Sequence, residues 1–135
     1  MSSRKIILTG ETDGRRMVVY IDGQRIRLTF KSYKYFLHLC WARVMGDGKL
    51  IKPWFISGFK FGWVYRSGFD YGHRQTAVLH RMKREIGIDG WPVFESDWCG
   101  RVRLLDDGKD ISLKGPFDLR DAEAMAMIED MKAIM

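Results

Sequence analysis

Residues 17–29 read Met-Val-Val-Tyr-Ile-Asp-Gly-Gln-Arg-Ile-Arg-Leu-Thr. The apolar run Met17–Ile21 meets Asp22-Gly23, a pair that supplies the positive φ angles of a two-residue hairpin turn. The return run Arg25–Thr29 alternates, with Ile26 and Leu28 on one face and Arg25, Arg27 and Thr29 on the other, which predicts a sheet buried on one side. Working outward, Lys5–Thr9 reads as a preceding strand that ends at a turn over Glu11–Gly14. On the other side the period changes: Phe36, Leu37, Cys40, Trp41 and Val44 fall at helical spacing. Thr29 or Ser32 is placed to cap that helix, and Gly46 or Gly48 to end it.

Further along, Pro53 is suited to open a short helix, Pro53–Phe59. Eight aromatic residues crowd positions 54–71 among glycines at 58, 62 and 68. A second helix is predicted from His73 or Arg74 to Ile86, ended by Gly87, with Val78, Leu79, Met82 and Ile86 facing inward. Val93–Glu95 and Arg101–Leu105 read as a hairpin with Asp97–Gly100 at its tip, and Ile111–Leu113 as a last short strand. Gly115-Pro116 breaks the chain. A final helix is expected over Leu119–Ile134, capped by Asp118, with Leu119, Ala122, Met125, Ile128 and Met131 along one stripe. Strands followed by helices make the class α+β. The expected organisation is one domain over 1–114 and a C-terminal helix over 115–135 that docks on it or forms a homodimer.

In this order the sequence resembles the winged helix-turn-helix domain of response-regulator effectors, the OmpR/PhoB class. Three stretches carry the resemblance: Val19–Thr29 as strand, turn and strand running into a helix; Leu79–Gly87 (Leu-His-Arg-Met-Lys-Arg-Glu-Ile-Gly) as the end of a recognition helix; and Val93–Glu95 with Gly100–Leu104 as the wing. Departures are Phe30 where the family has proline, Gln75 at a position usually apolar, and an aromatic, glycine-rich middle segment in place of a regular helix. The resemblance implies a winged helix-turn-helix with an N-terminal antiparallel sheet and an added C-terminal helix. It also implies sequence-specific binding of double-stranded DNA, in the manner of a transcriptional regulator. A helix seated in a major groove would present Arg74 and Thr76 near its entering end, then His80, Arg81, Lys83 and Arg84, while Arg101 and Arg103 on the hairpin would reach the adjacent backbone or minor groove.

Composition agrees with a basic, folded protein. The chain has 135 residues, 46% hydrophobic and 30% charged, and a net charge of +6, which excludes a disordered polyelectrolyte. Residues 1–90 hold seventeen Lys and Arg against seven Asp and Glu, whereas residues 91–135 hold six against ten. A basic body favours a polyanionic partner. No apolar run approaches the ~18 residues of a membrane span, and Ile6–Leu8 is too short for a secretory signal. Cys40 and Cys99 fit neither a disulfide framework nor a CxxC site, so a cytoplasmic protein without membrane partner or cofactor is expected.

Two other binding modes compete with the duplex. The aromatic segment and the acidic last third would suit a winged-helix module for protein–protein interaction. Segment 54–71 would also suit a single-stranded nucleic-acid binder, since Lys60–Tyr65 is similar to the aromatic strand of RNA-binding sheets. Its plainest use is as core. Catalysis has little to stand on. His73 and His80 lie about 10 Å apart along a helix, too far to share an ion, and Glu95 and Asp97 flank a turn. No nucleophile elbow, P-loop, zincin or dinucleotide fingerprint occurs. No catalytic or metal-binding residue is therefore assigned.

Overall fold

A computed structural model of the chain describes residues 5–46, 64–65, 75–87, 94–96, 101–104 and 110–134. In chain order the elements are β1 (Ile6–Asp13), β2 (Arg16–Ile21), β3 (Gln24–Leu28), α1 (Phe30–Gly46), β4 (Val64–Tyr65), α2 (Gln75–Ile86), β5 (Phe94–Ser96), β6 (Arg101–Leu104), β7 (Ile111–Lys114) and α3 (Ala122–Ile134). They form an α+β architecture with two sheets, ordered β3-β2-β1-β7 and β4-β6-β5. No helix among the described residues is long and apolar enough to cross a membrane.

The Asp22-Gly23 turn forms as its chemistry dictates, with both residues at positive φ (53° and 80°) and Ile21 paired to Gln24. Ile26 and Leu28 are buried and Arg25 and Arg27 exposed, so the alternation holds along β3. The first strand differs from expectation. Glu11 and Thr12 continue β1 to Asp13 instead of turning, because the register slips between Leu8 and Thr12. The Thr9 side chain stabilises the irregularity: its hydroxyl donates to the Val18 carbonyl (2.5 Å) and accepts the Glu11 N–H (3.1 Å). The reversal falls at Gly14 instead, at φ 64°.

The sheet is mixed, not antiparallel as the sequence suggested. β7 joins the free edge of β1 in parallel, with Ile6 opposite Ile111 and Leu8 opposite Leu113. A parallel neighbour needs a crossover connection. The chain between β1 and β7 supplies it through the helices and the small sheet, an arrangement that local periodicity does not encode. The small sheet contains a third strand beyond the expected hairpin: β6 lies between β5 and β4, opposite Glu95 and Ser96 on one side and Val64 and Tyr65 on the other.

α1 is the centre of the molecule. Phe36, Leu37, Cys40, Trp41 and Val44 are buried as their spacing predicts, but Tyr33, Tyr35 and Leu39 are fully buried too. A helix buried all round must be covered on every side. The large sheet, α2, β6 and α3 all pack against it. Met82, Leu104 and Ile128, one from each of three covering elements, enter the same core as the sheet's Leu8 and Ile21.

α3 begins later than its sequence suggested. Its cap is Asp121, not Asp118, since Asp121 Oδ1 accepts the Ala124 N–H at 3.0 Å. The buried stripe is Ala124, Met127, Ile128 and Met131, while Ala122 is exposed and Met125 is half-buried. That stripe lies against α1, so the helix docks on its own chain, and a homodimer through it gains no support. The short helix expected at Pro53–Phe59 and most of the aromatic segment 54–71 lie outside the described residues.

Candidate nucleic-acid interface

α2 is anchored from one side. Met82 is fully buried and Ile86 nearly so, while Arg81, Lys83 and Arg84 are exposed. Arg81 and Arg84 are three residues apart and so share a face. Gly87 closes the helix in the left-handed region (φ 59°), and its N–H donates to the Lys83 carbonyl at 3.1 Å. Lys83 and Arg84 in the last turn also favour the negative end of the helix dipole, a structural reason for their presence that operates alongside any binding role.

Glu85 stands between these cations but turns inward, with its side chain 13% exposed. Its carboxylate accepts the Thr29 backbone N–H (3.0 Å), the Thr29 hydroxyl (3.2 Å) and a guanidinium N–H of Arg16 (3.3 Å). Thr29 is the N-cap of α1: its carbonyl accepts the Tyr33 N–H at 2.8 Å, and its hydroxyl lies 3.0 Å from that of Ser32. In a capping box the carboxylate that receives the cap residue's N–H comes from the same helix. Here it comes from another helix, so a single group ends one element, orients a second and holds the first residue of β2. The sequence singled out both Leu28-Thr29 and Lys83–Gly87, yet their junction spans 56 residues and left no local signal.

The remaining sequence-assigned positions fall as follows. Thr76 and His80 lie in the first half of α2, and Arg74 lies outside the described residues. Arg101 and Arg103 lie on β6, opposite Tyr65 and Glu95 respectively. β6 and α2 both pack against α1, so the two basic elements share one support. The tip of the hairpin, Asp97–Gly100, is outside the described residues.

The other cations are engaged differently. On the outer sheet face Arg25 reaches Asp13 (2.9 Å) and Glu11 (3.6 Å), and Arg27 also reaches Asp13 (3.6 Å). The hydrogen bond from Arg25 holds the Asp13 carboxyl below its ordinary range and in return raises the guanidinium. Lys34 on α1 bridges Asp121 (3.1 Å) and Glu123 (3.3 Å). Arg81, Lys83 and Arg84, by contrast, form no ion pair with any described residue, and neither do Lys5, Arg15, Lys31, Lys114 and Arg120.

Cys40, Tyr33 and His38 are all held in the core. Cys40 is buried in α1. The Tyr33 phenol, pushed up by burial, donates to the Thr9 carbonyl at 2.7 Å. His38 is buried edge-on to Trp41, with ring centroids 5.5 Å apart. Among the described residues no group of three or more His, Cys, Asp or Glu is placed to hold a metal ion. No family model, curated protein or solved structure matches this chain.

Proposed function

We infer that the chain binds double-stranded DNA as a winged helix, with α2 in the major groove and the β5–β6 hairpin as the wing, and that it acts as a transcriptional regulator in the cytoplasm. The observation that carries the reading is the trio Arg81, Lys83 and Arg84. All three are exposed and without an acidic partner among the described residues, on a helix that Met82 and Ile86 anchor to the core. Arg81 and Arg84 share a face of that helix, whereas Arg25 and Lys34 are matched by carboxylates. The order of elements supports the same reading: sheet, helix, short strand, basic helix, then a hairpin that pairs back onto the short strand.

Mechanistically, Arg81 and Arg84 would supply bidentate donors to guanine edges or phosphates, and Lys83 a point charge to the backbone. Arg101 and Arg103 would fix register from the hairpin. The reading requires no catalytic group.

The test is a salt series on a mixed-sequence duplex, followed by fluorescence anisotropy. A DNA binder loses affinity linearly in log salt, with a slope of about −0.9 per neutralised phosphate. Charge reversal at both Arg81 and Arg84 should abolish binding and leave the circular dichroism spectrum and unfolding midpoint unchanged. Binding retained by a folded double variant would overturn the assignment of α2.

A further inference from the structure

We propose that the β1–β2 turn, through Arg15 and Arg16, is a second contact to the DNA backbone, flanking the C-terminal end of α2. This rests on the reading of α2 as the groove helix and extends its footprint to an element far from it in the chain.

The argument begins with the Glu85 carboxylate. Arg16 approaches it to 3.3 Å, which brings the start of β2 beside the last turn of α2, where Lys83 and Arg84 are exposed. Arg16 is only partly committed there, since its side chain remains 44% exposed. Arg15 is the next residue back in the turn that Gly14 opens. It is exposed and has no ion pair with a described residue. Consecutive Cα atoms are about 3.8 Å apart, so the Arg15 backbone lies one residue from the Arg16 that is anchored at this end of α2.

The turn therefore carries Arg16 to Glu85 beside α2, while its register partner Asp13 is drawn to Arg25 and Arg27. The distinction matters because Arg25 and Arg27, on the strand that follows, point to a face where Asp13 and Glu11 neutralise them. A duplex seated on α2 carries phosphates at about one charge per 1.7 Å of helix axis, and its backbone must pass one end of the helix or the other. At the Gly87 end it meets Arg15 and Arg16. Such a contact positions the protein and reads no sequence.

The experiment compares wild type, R15Q, R15K and K132Q on the mixed-sequence duplex, with R81E/R84E as reference. Lys132 is exposed and ion-paired to Glu129 at 3.6 Å on α3, so K132Q removes one charge away from α2. The slope of log affinity against log salt should become shallower by about 0.9 in R15Q. It should return in R15K and stay at the wild-type value in K132Q, and the preference among duplex sequences should be unaltered in R15Q. An R15Q slope equal to wild type would overturn the proposal, as would equal losses in R15Q and K132Q, or a changed sequence preference. If wild type binds and R81E/R84E does not, those outcomes condemn the second contact alone. If wild type binds no duplex even at low salt, the reading of α2 fails as well.

Discussion

Glu85 shows how one side chain can decide the placement of a whole helix. Truncating it strands the Thr29 N–H at the head of α1 and releases Arg16, with the site only 13% exposed. E85A should therefore lose about 1–3 kcal/mol in urea denaturation at pH 7, the cost of leaving a mostly buried donor unsatisfied. E85Q keeps one acceptor oxygen and should lose less; equal losses would mean that the charge, not the acceptor, matters. His38 gives a prediction in pH. Burial, with the Lys34 charge adding to it, lowers its pKa from 6.5 to about 3. Between those values the unfolded chain binds a proton that the folded chain excludes, so stability falls as pH falls through this window. The slope is at most about 1.4 kcal/mol per pH unit. H38F should flatten the wild-type slope between pH 6.5 and 5, as read from denaturation midpoints. Asp121 acts in a lower range: although burial pushes it up, the Ala124 N–H and Lys34 hold its carboxyl below the ordinary value, and its contribution is lost only as the pH drops through that lower range.

α3 separates what local chemistry encodes from what docking selects. Its sequence alternates Ala and Met so closely that several helical phases offer an apolar stripe, and Asp118 and Asp121 are both plausible caps. The choice is made by α1. Lys34 draws Asp121 and Glu123 to one end, and the Trp41 indole N–H donates to Asp130 at 3.1 Å near the other. D121A should accordingly lose about 1 kcal/mol, a typical N-cap effect, with D118A within about 0.5 kcal/mol of wild type. A larger loss in D118A would restore the earlier start of the helix. The same division runs through the other elements. The Asp22-Gly23 hairpin and the Gly87 stop were legible because each depends on a backbone angle set by its own residues. The exposed cations of α2 were legible from the helical spacing of Met82 and Ile86. The parallel seat of β7, the burial of Tyr33, Tyr35 and Leu39 in α1 and the Glu85 junction were not, because each depends on a partner far away in sequence. Gly10 belongs with them: a Cβ there would strike the Pro116 carbonyl oxygen, a requirement invisible until β1 and the segment after β7 are brought together.

In the molecule as a whole, α1 is a hub and every other layer is a cover, so stability should be shared among covers rather than held by one of them. The C-terminal helix tests this most directly, because its Met-rich stripe has two conceivable uses, a lid on α1 or a face for a second copy. Ile128 is fully buried in the common core, alongside Met131 and Ala124. Removing its side chain beyond Cβ should cost about 2–5 kcal/mol, the range for a large aliphatic residue replaced by alanine in a packed interior. If the helix is a lid, I128A shifts the denaturation midpoint by the same amount at every protein concentration, and sedimentation gives one species for wild type and variant. A dimer contact behaves otherwise, since mass action makes the midpoint of an associating protein rise with concentration. A concentration-dependent wild-type midpoint that I128A abolishes would therefore assign the stripe to a partner copy. The covering of α1 from four sides, with Trp41 tied to Asp130, leads us to expect the concentration-independent result.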